Sequence, residues 1–139
     1  AFDRELISII NQYGVELILL AGYMRVLTPL FISNYFGKIL NIHPSLLPKF
    51  PGLNTHQKAI DASEKIHGAS VHFVTEEIDG GPIISQEKVI IEAEDTVETL
   101  SDKVLKKEHV IFPKVIHWYT QRRLKLITNL QATLDGKKI

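Results

Sequence analysis

The sequence contains no cysteine among its 139 residues. Disulfide bonds, thiolate metal ligands and thiol nucleophiles are therefore excluded. A chain without cysteine suits the reducing cytosol, so a cytoplasmic location is expected.

An excess of charge and long apolar runs are missing as well. The chain carries 16 basic and 16 acidic residues, for a formal net charge of zero. Nucleic-acid-binding proteins usually carry a basic patch, whereas the short basic cluster at residues 121–125 is better explained as a solvated helix end. The longest apolar run, Val15–Ala21, is broken by Glu16 and is far shorter than a membrane span. Neither a nucleic acid nor a membrane is therefore an expected partner.

What is present is typical of a folded protein. Hydrophobic residues make up 45% of the chain and charged residues 23%, which indicates a single globular domain over residues 1–139. The chain begins at Ala1 without methionine and enters a helical pattern at once. This start indicates a position inside a larger fold.

Apolar periodicity and turn residues predict alternating helices and strands. Helices are expected over residues 6–13, with Asp3 as the cap and Gly14 as the end, and over 29–36, 55–63 and about two dozen residues after Thr96. Strands are expected over residues 15–20, 38–43, 69–75, 83–91 and 124–127. Pro113 should kink or split the last helix. The order indicates an α/β protein with a parallel sheet core and a later antiparallel addition.

Ligands of such sheets bind beyond the carboxyl ends of the strands. Three segments fall there, at residues 21–28, 41–52 and 75–82, and they hold most of the unusual residues. The second contains three prolines within eight residues and cannot form a regular element.

Asn41 and His43 are two residues apart at the end of a predicted buried strand, so both side chains point to the same side. An amide beside an imidazolium forms a donor pair that suits an oxygen gaining negative charge during acyl transfer. In the structural alternative, Asn41 ties the following turn and His43 is a satisfied loop histidine. The spacing alone does not separate the two interpretations.

Asp79 lies between a predicted strand and the turn signal Gly80–Pro82. An aspartate in such a turn often bonds to its own backbone. If its carboxylate faces His43 instead, it favours the charged imidazolium. The sequence does not decide whether the two side chains meet.

Other catalytic classes lack their motifs. The six histidines show no zinc-binding spacing, and His67 and His72, five apart on a predicted strand, should fall on opposite faces. The serine-hydrolase elbow, the dinucleotide fingerprint and the phosphate-loop pattern are all absent from the sequence. No metal is therefore expected.

Four sequence blocks together resemble the folate-dependent formyltransferase family. They are Ala21–Leu27, Asn41–Pro48, Pro51–His56 and Gly68–Val74, the last followed by Asp79–Pro82. The match runs in order from about residue 2 to beyond residue 120. The block Asn-x-His-Pro-Ser-Leu-Leu-Pro marks the wider superfamily, whereas Pro-Gly-Leu-Asn-Thr-His and Gly-Ala-Ser-Val-His indicate its glycinamide ribonucleotide branch.

The resemblance implies a Rossmann-like formyltransferase fold with a mainly parallel sheet. It also implies transfer of a formyl group from 10-formyltetrahydrofolate to the amine of glycinamide ribonucleotide in purine synthesis. The implied catalytic residues are Asn41, His43 and Asp79. The implied folate-binding residues are Met24, Arg25, Val26, Leu27, Asn41, Thr75, Glu76, Glu77, Ile78 and Asp79. The implied nucleotide contacts are Leu105, Lys106, Lys107 and Glu108, and Ser70 is implied to order a water in the site.

The family normally begins with a βαβ region whose first loop grips the nucleotide phosphate, and nothing here matches it. That region and the first strands would precede Ala1, so an inactive folate-binding fragment is one alternative. Formyltetrahydrofolate hydrolase shares the trio and is another, whereas methionyl-tRNA formyltransferase would need a further basic domain after the catalytic one. The helix at residues 31–36 offers apolar surface for a homodimer, although a core face explains it equally well.

Overall fold

The computed structural model describes residues 2–21, 27–76 and 80–139 as an α/β fold. Its helices are α1 (Phe2–Gln12), α2 (Pro29–Asn34), α3 (Thr55–Asp61) and α4 (Val97–Thr120). Its strands are β1 (Ile18–Ala21), β2 (Ile39–His43), β3 (Ile66–Phe73), β4 (Ile83–Ile90), β5 (Leu124–Thr128), β6 (Gln131–Leu134) and β7 (Lys137–Lys138).

The first two helices have local end signals. Gly14, with a φ of 60°, follows α1, as the sequence predicts. The Thr28 side chain accepts a hydrogen bond of 3.3 Å from the Phe31 backbone N–H, and Pro29 occupies the first turn of α2. The predicted Asp3 cap is wrong, because α1 already includes Asp3 in its first turn.

Helix α4 begins at a reciprocal capping box formed by Thr96 and Thr99. It runs unbroken through Pro113, so the predicted split does not occur. Buried side chains on both sides of the proline are Leu100, Val104, Ile111 and Val115. Each contributes about 1.5–3 kcal/mol, and together they outweigh the roughly 3 kcal/mol that an interior proline costs. No helix in the described ranges is long and apolar enough to cross a membrane.

The main sheet has the order β1-β2-β3-β4 and is mixed. Strands β1 and β2 are parallel, whereas the β2–β3 and β3–β4 pairs are antiparallel. The expectation of a mainly parallel sheet is therefore wrong for the described strands. The cause is the connection after β2: His43 pairs with Ser70, so β3 starts beyond the carboxyl end of β2 and returns alongside it.

Strands β5, β6 and β7 form a separate antiparallel sheet. The sequence predicted only the first of them, at residues 124–127. Asp135 and Gly136 connect the other two and have φ angles of 54° and 80°. Positive φ at both central residues is typical of the two-residue turn that joins antiparallel strands.

Two apolar cores lie around the main sheet. The larger contains the α4 side chains together with Leu40 and Ile42 of β2 and Val71 of β3. The smaller packs α1 and α2 around Ile39. Phe31, Ile32 and Tyr35 belong to this smaller core, with exposed fractions of 2–5%, whereas Phe36 of the same segment is 42% exposed. A homodimer through residues 31–36 stays a prediction.

Candidate active site

Asn41 and His43 lie at the carboxyl end of β2 and share one face of that strand. The alternate residues Leu40 and Ile42 are committed to the α4 core. In the antiparallel pairing with β3, Asn41 lies opposite His72 and His43 lies opposite Ser70. The strand therefore places an amide and an imidazole next to each other at the edge where the sheet ends.

His43 is anchored by the backbone of the loop that follows β2. Its exposed fraction is 6%, and its Nε2 lies 2.8 Å from the carbonyl oxygen of Phe50. A carbonyl only accepts, so Nε2 carries a hydrogen and donates it. Phe50 has a φ of 53°, in the left-handed region. This donation orients the imidazole at the end of the strand.

The Ser70 hydroxyl ties this loop to β3. It donates to the Ser45 carbonyl at 2.7 Å, and it accepts from the Leu47 N–H at 3.0 Å and from Gln86 Nε2 at 2.9 Å. A hydroxyl has one donor and two lone pairs, so these bonds use its full capacity. Ser70 is also fully buried. The water-ordering role implied for Ser70 does not fit this arrangement, in which the hydroxyl holds the loop.

Gln86 on β4 is part of the site's support and was missed by sequence reasoning. Its amide nitrogen donates to the Leu47 carbonyl at 2.8 Å as well as to Ser70. Gln86 lies opposite Ser70 in the β3–β4 register. Its importance therefore depends on a strand register that no local motif reports.

A histidine pair lies behind the loop. His67 is 1% exposed, and its Nε2 lies 3.1 Å from Nδ1 of His56. Burial, followed by the charges of His56 and His43, lowers the pKa of His67 to about 4, although Glu64 opposes the shift. Burial and then His43 also lower the pKa of His56. The Phe50 ring packs edge-on against His67, with 6.3 Å between centroids, so the pair supports the residue that holds His43.

The low pKa of His67 predicts loss of stability in mild acid. Between about pH 6.5 and pH 4 the unfolded histidine binds a proton that the folded one does not. The free energy of unfolding should therefore fall as pH decreases through this window, by up to about 1.4 kcal/mol per pH unit for this group. Urea unfolding at pH 7 and pH 5 measures the difference. His67→Gln should reduce this difference between the two unfolding free energies, whereas His117→Gln, on the exposed part of α4, should leave it unchanged.

Several implied folate-binding residues lie outside the described residues, namely Met24, Arg25, Val26, Glu77, Ile78 and Asp79. Of the others, Leu27 is 9% exposed and packs in the smaller core at the start of α2. Thr75 is 5% exposed and Glu76 is exposed, just after β3. Because β3 runs antiparallel to β2 and the Val74 N–H donates to the Ile39 carbonyl, Thr75 lies near the amino end of β2, whereas Leu27 lies just before α2.

A cavity of about 360 Å³ opens between α4 and the ends of β1 and β2. Its lining residues are Ala21, Ile42, Leu105, Glu108, His109, Phe112, Pro113 and Ile116. Burial raises the pKa of Glu108, and the charge of His109 opposes that shift. Two of the four implied nucleotide contacts, Leu105 and Glu108, therefore line the cavity. Lys106 is exposed and Lys107 half-buried, and neither belongs to the lining.

A metal site would need several ligands that converge on one point. Within residues 2–21, 27–76 and 80–139, no group of three or more histidine and acidic side chains could hold a metal ion. The His56–His67 pair has only nitrogen ligands from two side chains, fewer than a structural or catalytic zinc site uses.

The α/β fold thus carries an amide and an imidazole at the carboxyl end of β2 and a cavity between α4 and the ends of β1 and β2. The chain belongs to the formyl transferase family, whose family model matches residues 1–116. It is similar to phosphoribosylglycinamide formyltransferase of Escherichia coli K12, with 50% identity over 139 residues, which cover 100% of this chain and 65% of that protein.

Solved structures show the same similarity. The phosphoribosylglycinamide formyltransferase of Coxiella burnetii superposes with a TM-score of 0.94 at 48% identity, over 99% of this chain and 64% of that chain. A formyltetrahydrofolate deformylase of Pseudomonas syringae superposes with a TM-score of 0.87 at 28% identity, over 94% of this chain and 44% of that chain. The chain thus spans less than two thirds of the length of these proteins.

Proposed function

We propose that the protein transfers the formyl group of 10-formyltetrahydrofolate to the amine of glycinamide ribonucleotide, a step of purine synthesis. The observation that carries the proposal is the Asn41–His43 donor pair at the carboxyl end of β2, in a formyl transferase chain. The similarity to two proteins named phosphoribosylglycinamide formyltransferase supports this acceptor.

The proposed reaction is a direct acyl transfer. The substrate amine attacks the formyl carbon, the carbon–nitrogen bond to the folate breaks, and one proton passes from the amine to the leaving folate nitrogen. The formyl oxygen becomes an oxyanion on the way, and N–H donors from Asn41 and His43 stabilise it. No covalent enzyme intermediate is needed, which agrees with the absence of cysteine.

The arrangement of His43 specifies how it acts. Its Nε2 donates to the Phe50 carbonyl, and this bond holds the imidazole on the same face of β2 as the Asn41 amide. Asp79 is proposed to keep the imidazole charged, and a water to carry the proton between the two nitrogens. A cation beside the oxyanion stabilises it more than a neutral donor does.

The two substrates are assigned to different regions. Residues 24–27 and 75–79 are proposed to hold the flat pterin ring, with backbone groups bonding to its polar edge and apolar side chains flanking its faces. The cavity beside α4 is proposed to receive the nucleotide. Glu108 supplies a half-buried carboxyl group in a lining whose other residues, apart from His109, are apolar, which suits a hydroxyl or an amine of the substrate.

Replacing Glu108 by glutamine should raise the KM for glycinamide ribonucleotide by about tenfold to a hundredfold, since a hydrogen bond to a charged group contributes about 1.5–3 kcal/mol. The KM for the formyl folate should stay the same, because residues 24–27 and 75–79 are retained. Steady-state kinetics with each substrate varied in turn measure both values. Glu98→Gln, in the exposed first turn of α4, is the control. Equal changes in both KM values would contradict the assignment.

The direct test uses protein expressed from its complete gene and folate labelled in the formyl carbon. The label should appear on the glycinamide nitrogen, and omission of the amine should leave the folate intact. Formate released at the same rate without the amine would identify a hydrolase, the alternative that the Pseudomonas syringae deformylase represents. Binding of a folate analogue without turnover, measured by calorimetry, would identify a folate-binding fragment.

A further inference from the structure

His72 is a buried histidine next to Asn41 that the proposed reaction does not use. It is 2% exposed on β3 and lies opposite Asn41 on one side and Ile83 on the other. The β3–β4 register shifts between Val71 and His72, which marks a bulge at this point. Bulges are frequent next to active sites, where they redirect a side chain.

The hydrogen bonds of His72 determine which ring nitrogen carries the proton in the neutral ring. Its Nδ1 lies 2.8 Å from the Phe73 carbonyl oxygen. Because a carbonyl only accepts, Nδ1 carries the hydrogen. In a neutral imidazole the other nitrogen is then an acceptor, so Nε2 presents a lone pair to its neighbour.

That neighbour is the side-chain amide of Asn41, whose Nδ2 lies 3.1 Å from Nε2 of His72. The amide NH₂ therefore donates to His72. If the amide were flipped, its oxygen would face the lone pair of Nε2 and the bond would be lost. An NH₂ group has two hydrogens, so one is bound by His72 and the other stays with Asn41 for a second acceptor.

We infer that His72 is a positioning residue, which fixes the Asn41 amide so that its second N–H points to the formyl oxygen. The inference rests on the proposed function, because it assigns the second N–H to the oxyanion. His72 itself touches no reacting atom in this account. The Phe73 carbonyl sets the tautomer of His72, and His72 sets the orientation of Asn41, so the backbone of β3 controls an amide on β2.

The test is a double-mutant cycle on kcat, with protein expressed from its complete gene. His72→Leu removes the acceptor and should lower kcat by about tenfold to a hundredfold, less than the loss of a whole donor. In an Asn41→Ala background the same change should have almost no further effect, because residues that act as a unit are not additive. His72→Gln, whose side-chain oxygen accepts from the same N–H, should restore most of the loss.

Val71→Ala is the matched control for general damage to β3. Val71 is fully buried in the α4 core, so its truncation should lower stability and leave kcat unchanged. Equal losses from His72→Leu with and without Asn41, or no loss at all, would overturn the inference. If Asn41→Ala leaves kcat intact, the proposed function fails instead, and the two failures are thereby separated.

A measurement on the unmutated protein covers the case in which His72→Leu does not fold. Nitrogen-15 NMR of the histidine rings distinguishes the two neutral tautomers and the charged ring. The inference expects a neutral His72 with its proton on Nδ1 at the assay pH. A proton on Nε2 would overturn it, because Nε2 could then not accept from Asn41.

Discussion

Replacing His43 by alanine should lower the kcat of formyl transfer by about a hundredfold to a thousandfold. The imidazole is one of two donors assigned to the oxyanion, and loss of one such donor typically costs about 2.7–4 kcal/mol of transition-state stabilisation. The KM for the folate should change little, because the pterin is assigned to residues 24–27 and 75–79. Steady-state kinetics at saturating substrate measure the effect.

The control is His117→Ala, which removes an imidazole from the exposed part of α4 and should leave kcat unchanged. A second comparison uses His43→Asn, which keeps a donor at the position without the charge and should lose less than alanine does. If the His43→Ala variant retains at least half of the kcat, His43 is only a satisfied loop histidine, and its assigned role as an oxyanion donor is wrong.

Gly68→Ala should lower the free energy of unfolding by about 3 kcal/mol, the upper end of the usual cost of overpacking. A Cβ at Gly68 would overlap the Glu87 carbonyl oxygen and lie 2.8 Å from the Leu46 side chain. The first of these atoms belongs to the neighbouring strand, so β3 and β4 would have to separate. Urea unfolding measures the change.

Gly14→Ala provides the comparison for that prediction. Gly14 has a φ of 60°, and a Cβ added there would meet no heavy atom within 4 Å, so only backbone strain of roughly 1–2 kcal/mol is expected. If Gly68→Ala lowers the free energy of unfolding no more than Gly14→Ala does, the contact between β3 and β4 does not require glycine.

The positions of the helices and strands followed closely from local patterns. Gly14, Pro29 and the Thr96–Thr99 pair all lie at helix ends as expected. These signals depend on residues within one turn of each other, so they are visible without the fold. The turn at Asp135 and Gly136 belongs to the same class of signal, and it could have predicted the β6–β7 hairpin, which was not expected from the sequence.

The errors concern properties that arise from distant contacts. Pro113 predicted a kink or a split in α4, and the split does not occur because the packing of residues on either side of it holds one helix. The direction of β3 depends on where the chain emerges after residues 44–65, which no residue pattern reports. Local sequence patterns cannot predict such packing, because the residues in contact are distant in the chain and meet only when the sheet forms.

The candidate site shows the same division. The shared face of Asn41 and His43 could be predicted from their spacing, because a strand places alternate residues on one face. The partners of Ser70, Gln86 and His72 could not, since each depends on the register of β3 with β2 or β4. The contacts of the supporting residues therefore depend on strand pairing, whereas the arrangement of Asn41 and His43 depends on a single strand.

The most direct test of the account is a crystal structure of the protein with a tetrahedral analogue of the formyl adduct. The account predicts one oxygen of the analogue within about 2.7–3.1 Å of both Asn41 Nδ2 and a ring nitrogen of His43. The second hydrogen of that amide should still be donated to His72. An analogue whose oxygen contacts neither side chain, or whose tetrahedral carbon lies away from the end of β2, would contradict the account.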